Sequence, residues 1–224
     1  MFDRIRKQRE RNLRRREIEK EMRQQKRLPP GQRATLKFPV LHIGRAPQID
    51  LELWSFKVWG AVAEPRMWSW AEFARLPREC VMLDLHCVTQ WSKFDTAWEG
   101  VSLRTLVDKG WIVPRPEATH VIQIAEGGYK TNLPLSIALQ ENFLLATHFD
   151  GKPLPQEHGF PLRGVIGHIV GRDDLEDVYL WKGAKWLRGL KFVTEDQPGT
   201  WEVSGYHNEG DVWREERWGR RWGK

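Results

Sequence analysis

Cys87 is the residue of this chain best placed to do chemistry. It closes the run from Val81, in which Val81, Leu83 and Leu85 alternate with Met82, Asp84 and His86, and period two is the period of a strand. Thr89 to Trp98 then mixes small polar side chains with aromatics and reads as a loop. A thiol carried on a rigid strand into a polar, aromatic loop can act as a soft metal ligand or a nucleophile at fixed geometry. It can equally be a small buried hydrophobe. The other cysteine is Cys80. Seven residues apart, the two fall on opposite faces of a continuous strand, which disfavours a disulfide. There is no CxxC pair for zinc and no four-cysteine set for an iron–sulfur cluster. A single thiolate ligand needs a partner that supplies the remaining coordination.

The surroundings of Cys87 resemble a known active-site signature: His86-Cys87-Val88-Thr89, Trp91-Ser92, then Trp98 and Gly100-Val101. Downstream follow Gly151-Lys152-Pro153-Leu154-Pro155, His158-Gly159-Phe160-Pro161-Leu162-Arg163 and Lys182-Gly183-Ala184-Lys185-Trp186-Leu187. Together, over roughly residues 38–193, they resemble the sulfite-oxidase-like molybdopterin oxidoreductases, in a short form without haem or dimerisation domains. The resemblance implies an α+β fold, the molybdopterin-binding domain of sulfite oxidase, with mixed β-sheets and short flanking helices. It implies that Cys87 is the only protein ligand of molybdenum, beside the dithiolene sulfurs of a nucleotide-free molybdopterin. It also implies that His158 and Arg163 contact the pterin phosphate and ring, and that Gly183 and Lys185 close over the phosphate. His42, with Arg45 as a second candidate, and Glu126 would offer polar groups to the pterin. The residue types suit these tasks: Arg presents a planar fork to phosphate, Lys a point charge, neutral imidazole one donor and one acceptor, and Gly a close backbone approach. His42 also reads as an ordinary loop histidine, and His158 with Arg163 as a loop histidine and a surface ion pair.

The elements that must hold these residues are legible in part. Trp54 to Gly60 alternates as a strand. Ser69-Trp70-Ala71-Glu72 fits a capping box and opens a short helix through Leu76, before Pro77. Ser102 caps a helix from Leu103 to Lys109, ended by Gly110. Thr119 to Ala125 reads as a strand, Glu126-Gly127-Gly128-Tyr129 as a turn, and Ile137 to Glu141 as a helix. Asp150-Gly151 joins Leu144–Phe149 to Lys152–Leu154 as a two-residue hairpin. Val165 to Val170 is expected to be a buried strand. The glycines at 164, 167 and 171 lack dinucleotide-fingerprint spacing, and no GxxxxGK[ST] loop occurs, so NAD and ATP sites lose support. Asp173, Asp174, Glu176 and Asp177 read as a solvated loop rather than a metal site.

At 224 residues with 40% hydrophobic content, the chain suits one domain plus extensions. The reading is a charged helical extension and linker over 1–34, a molybdopterin-binding catalytic domain over 35–197, and a Trp-rich wrap over 198–224. In the wrap, Trp201, Trp213, Trp218 and Trp222 are expected to dock by one face, and His207 to serve packing. Charge is segregated: residues 1–37 carry 14 Lys/Arg against 5 Asp/Glu, while the remainder is net −3. Residues 1–27 contain no Gly or Pro and predict a helix, closed by Leu28-Pro29-Pro30-Gly31. Its apolar residues are too sparse for a stripe, so it packs weakly or meets an anionic partner, nucleic acid included. No apolar run long enough to span a membrane and no apolar leader segment is seen, so a cytoplasmic protein is expected.

The expected activity is molybdenum-dependent oxygen-atom transfer on a small molecule, a sulfoxide, N-oxide or related substrate, exchanging electrons with a separate partner. No Arg lies between Val88 and Trp91, and Leu41 holds the position where sulfite oxidisers of the family carry another, so sulfite is disfavoured. The competing readings are a sulfite-type oxidase, a nucleic-acid or ribosome-associated protein acting through the basic helix, and a metal-free interaction module.

Overall fold

A computed structural model describes residues 2–219 except Asp173; Trp222 and Asp173, both named above, lie outside the described residues. In chain order the elements are α1 (Phe2–Gln24), β1 (Arg33–Ala34), β2 (Ser55–Gly60), β3 (Arg66–Ser69), α2 (Trp70–Phe73), β4 (Glu79–Cys87), β5 (Trp91–Ser102), α3 (Leu103–Asp108), β6 (His120–Ala125), β7 (Lys130–Pro134), α4 (Leu135–Ala138), β8 (Phe143–Phe149), β9 (Lys152–Pro153), β10 (Arg163–Ile166), β11 (Leu187–Val193) and α5 (Thr200–Val203). One sheet runs β1-β5-β8-β10, with β4 on the other edge of β5 and β9 beside β8; the second runs β3-β2-β11-β6-β7. Two pairings are parallel, β1 with β5 and β11 with β2, and the others antiparallel. Mixed sheets with short helices make the fold α+β, as expected.

The larger core joins the second sheet to α2, α3 and α4 through Trp54, Phe56, Val58, Phe73, Leu103, Leu106, Leu133, Ile137, Leu190 and Phe192. A smaller cluster on the first sheet packs Leu83, Leu85, Trp98, Leu144 and Val165 together. No helix among the described residues is long and apolar enough to cross a membrane.

The hairpin carrying Cys87 is where the sequence reading needs its main correction. The expected loop from Thr89 to Trp98 is mostly strand: β5 starts at Trp91, and Gln90, at φ 67°, closes a tight turn with its N–H on the Cys87 carbonyl, 2.9 Å. The period-two signal was hidden because inward positions hold Ser92 and Thr96, both buried. Their hydroxyls meet His86 Nδ1 at 2.8 Å and the Leu83 carbonyl, which removes the desolvation penalty that normally keeps such residues outside. Residue Asp95, at φ 51°, sits where the β4/β5 register shifts. Its N–H donates to Asp84 at 3.0 Å, and Arg27 grips Asp84 through Nε and Nη2 (2.8 and 2.7 Å) and Asp95 through Nη2 (2.5 Å). The segment after α1 is thus clamped onto the cysteine hairpin. The root of α1 is also docked, with Met22 buried and Glu19 accepting the Ala34 N–H at 3.0 Å.

Other boundaries moved too. The helix expected at Ile137 to Glu141 is α4 at Leu135–Ala138, preceded by the unforeseen strand β7. In β7 Asn132 is buried because it donates to Asp196 at 2.6 Å and accepts from Lys182 at 2.6 Å. The strand expected from Val165 to Val170 runs from Arg163 to Ile166, and β11 was not foreseen. The capping box at Ser69, the Ser102 cap and the Asp150-Gly151 hairpin (φ 48° and 71°) are as the residues dictate. Among the acidic residues after Gly171, Asp177 meets His168 Nδ1 at 2.6 Å and Asp174 pairs with Arg172.

Candidate active site

A cavity of about 810 Å³ opens between the two sheets, a size ordinary for a cofactor or ligand site. Its walls come from the leading segment 38–47, the end of β4 with its turn, the turn after β6, β10, the loop 180–186 and the stretch 200–206. Of the residues singled out in the sequence, His42, Arg45, Cys87, Glu126, Arg163, Gly183 and Lys185 all line it. His158 stands one layer back, its ring stacked on Phe38 at 4.3 Å and its carbonyl accepting from Arg163 Nη1 at 3.1 Å. His207 lies away from the lining, accepting the Gly210 N–H at 3.1 Å.

The thiol end is built by the hairpin. Cys87 receives a hydrogen bond on Sγ from the Thr89 hydroxyl, 3.1 Å, and its carbonyl accepts from Gln32 Nε2, 2.9 Å. Burial pushes the thiol pKa up, and the Thr89 hydrogen bonds and the charge of Arg217 pull against that shift. Neighbouring His86 is pushed down to about 3 by burial and stays neutral, anchored on Ser92.

Another part of the lining is cationic and unbalanced. Arg163 is buried, with Nε on the Gly164 carbonyl at 3.2 Å and Nη1 on that of His158. Among the described residues no carboxylate pairs with it. Burial lowers its pKa to about 10. Lys185 donates to the Glu157 carbonyl at 2.7 Å and likewise has no carboxylate; burial, then the charge of Arg163, push it down to about 7. Two neighbouring cations held without a counter-charge are a ready anion site, because an incoming phosphate would restore the charged forms.

Loop 180–186 owes its position to Gln123, buried on β6, which donates to the Lys182 carbonyl at 2.8 Å and accepts the Ala184 N–H at 3.0 Å. Gly183 is needed on its inner side: a Cβ there would run into the Gly164 carbonyl and Val165 of β10. Gly127 and Gly128, at φ 74° and 83°, face open space instead. Glu126, beside them, is already paired with Arg188 at 3.4 Å. His42 bonds the Gly44 carbonyl at 3.1 Å and meets Trp186 edge-on at 5.1 Å.

Sequence reasoning missed an aromatic wall. Tyr129, Trp181, Trp201 and Tyr206 line the cavity, with Trp201 to Tyr206 at 5.2 Å and Trp181 to Tyr206 at 6.1 Å. The pieces come from three distant segments, so no local pattern announces them; only Trp201 and its neighbours, read as a docking wrap, gave a signal. The wrap is fixed by Lys182, fully buried, against Glu202 at 2.7 Å and Asn208 at 3.2 Å. Arg217, missed as well, stacks over Trp218 and Tyr206 but lies behind Val88, outside the cavity lining.

A soft donor and an anion cradle lining one cavity define a metal- and phosphate-bearing redox cofactor site on a two-sheet scaffold, and the comparisons with known proteins identify that cofactor. Residues 43–201 match the family described as oxidoreductase molybdopterin binding domain, and the chain belongs to that family. It is 44% identical over 85% of its length, and 91% of the relative, to the uncharacterized oxidoreductase YuiH of Bacillus subtilis. It is 28% identical, over 66% of its length, to the catalytic subunit MsrP of the protein-methionine-sulfoxide reductase of Gluconobacter oxydans, of which it spans 49%. The sulfane dehydrogenase SoxCD of Paracoccus pantotrophus shares the fold at TM-score 0.55 and 17% identity, over 71% of this chain and 42% of that one. The protein is therefore an oxidoreductase that uses the molybdenum cofactor, and the uncompensated cations and the half-buried thiol in the cavity lining fit that group.

Proposed function

We propose that the protein reduces a small sulfoxide or N-oxide, drawing electrons from a separate carrier, in the cytoplasm. The observation that carries this is the distribution of charge in the cavity. The two unbalanced cations suited to the cofactor phosphate are Arg163, buried, and Lys185, half-buried, while the aromatic side chains of the wall formed by Tyr129, Trp181, Trp201 and Tyr206 are uncharged. An anion such as sulfite finds no charge-assisted donor on that wall, whereas a neutral oxide finds apolar surface. The exposed, free Cys80 suits a reducing compartment.

Cys87 would hold the metal, Arg163 and Lys185 the phosphate, and His42, Arg45, Glu126 and Gly183 would border the pterin. His158 would act one step back, by fixing Phe38 and Arg163. When bound, the cofactor supplies a two-electron centre able to take an oxygen atom from the substrate. The overall change is oxide plus two protons and two electrons to sulfide, or amine, and water. Burial holds the Tyr129 phenol above its ordinary range, so it keeps its proton at neutral pH and offers a hydrogen-bond donor in the cavity. The aromatic wall excludes water from the reacting face.

The test is turnover of the cofactor-loaded protein with reduced viologen dye against methyl phenyl sulfoxide and trimethylamine N-oxide, with sulfite plus ferricyanide as the opposing assay. Oxide reduction is expected, lowered in Cys87→Ser by more than about 100-fold, beyond what losing a mere neighbour of a ligand gives. Sulfite oxidation outpacing every oxide would replace this reading with a sulfite-type oxidase.

A further inference from the structure

We infer that the cationic face of α1 is the docking surface for an acidic electron-carrier protein, which delivers the electrons that the proposed oxide reduction consumes; the inference rests on that reading. Between residues 4 and 16 the helix carries eight Arg/Lys and one Glu, followed by Glu17, Glu19 and Glu21. Arg4, Lys7, Arg11 and Arg14 follow one another three or four residues apart, a spacing at which like charges on a helix repel. The arrangement therefore works against the helix's own stability, and an anionic partner would relieve it.

Residues 3–11 are exposed all round and touch none of the core, and the described ion pairs there are exposed ones inside the helix: Arg6–Asp3, Arg6–Glu10 and Lys7–Asp3. At about 100° per residue, Arg4, Lys7, Arg11 and Arg14 fall within an arc of about 80°, and Arg9 and Arg16 lie on the far side. All six are exposed. The arc continues along the helix into Arg15, Ile18 and Met22, the residues that seat the root of α1 on the body. The stripe thus overhangs the same side as the domain. The root is fixed beside the cysteine hairpin: Glu19 bonds Ala34, β1 pairs with Trp91 and Ser92 of β5, and Arg27 clamps Asp84 and Asp95. A protein seated under the stripe would rest against the body next to the hairpin that bears Cys87.

The surface suits a carrier. With no aromatic between residues 3 and 16 to stack a base and few apolar residues, binding would be electrostatic, fast and salt-sensitive, as small transient redox interfaces are. Two carrier molecules, each giving one electron, balance one oxide reduced with two protons to sulfide and water.

Reduced flavodoxin, an acidic one-electron flavoprotein, is the probe, with the cofactor-loaded full chain and methyl phenyl sulfoxide as acceptor. Two double variants remove equal charge from opposite faces: Arg4→Gln with Arg11→Gln on the stripe, and Arg9→Gln with Arg16→Gln opposite. The stripe variant is expected to lose about tenfold in kcat/KM for flavodoxin, the opposite variant about twofold or less, with viologen-driven turnover unchanged in both. Calorimetry with oxidised flavodoxin should show the same ranking without turnover. Equal losses in the two variants, or no flavodoxin binding, would overturn the proposal. So would duplex DNA binding that exceeds flavodoxin binding and falls equally in both, the mark of a nucleic-acid surface. If dye-driven turnover is absent while flavodoxin binding stays face-selective, the oxide-reductase reading fails and the docking surface stands.

Discussion

Arg27 and Arg163 are two buried arginines with opposite electrostatic situations. Arg27 makes a two-pronged contact with Asp84 and a further one with Asp95, and these partners hold its pKa above the ordinary value. Arg163 faces the cavity with only backbone carbonyls and the rings of Phe38 and Trp98, 5.6 and 5.3 Å away, and burial pulls it down. The first is complete within the fold. The second is complete only when something anionic arrives. The difference separates a clamp from a binding site more firmly than residue type or burial, which the two share.

The largest effect is expected at Arg27. Replacing it with Ala leaves Asp84, almost fully buried, without its counter-charge, which is expected to destabilise the protein by about 3–5 kcal/mol. Urea denaturation would read it as a lower midpoint with an unchanged slope. A loss under about 1 kcal/mol would mean that Asp84 takes up a proton or finds water, and that the clamp is not needed to hold the bulge.

At Arg163 the outcome should split with the cofactor. In the cofactor-free protein Arg163→Met removes a cation that nothing neutralises, so stability should stay within about 1 kcal/mol of wild type. Cofactor retention through gel filtration should fall steeply, because phosphate loses its forked donor. If the cofactor-free variant were instead as damaged as Arg27→Ala, Arg163 would be structural, and the contrast between the two arginines would collapse.

Legibility in the sequence followed how local each signal is. The strand ending on Cys87, the Ser69 capping box and the Asp150-Gly151 hairpin are set by neighbours a few residues apart, and each stands where the residues put it. Strands β5 and β7 were obscured because Ser92, Thr96 and Asn132 point inward and are satisfied by His86, Leu83, Lys182 and Asp196, partners far along the chain or across a strand pair. Of the cavity residues, those inside motifs are legible. Tyr129, Trp181 and Tyr206 are not, since nothing joins them before the sheets close. The Asp84 partner of Arg27 was hidden likewise: a carboxylate inside an alternating strand reads as outward-facing until the bulge at Asp95 shows what meets it.

A pH slope is expected at Lys185. In the cofactor-free fold this ammonium is pushed down to about 7, mainly by burial and then by Arg163, whereas an unfolded lysine titrates near about 10.4. Between those values the unfolded chain binds more protons than the folded one, so stability rises with pH across the window. Below about 7 the penalty of the charged, half-buried amine is fully present, and above the unfolded value it is gone. The thermal midpoint of the cofactor-free protein should therefore climb from pH 7 to 9.5 relative to Lys185→Met, which has no such group. Cofactor binding should run the other way, weakening over the same interval as Lys185 loses the proton that phosphate requires. Parallel midpoint curves for wild type and Lys185→Met would place the lysine in contact with water, and would leave Arg163 as the one buried unbalanced cation among the described residues of the cavity.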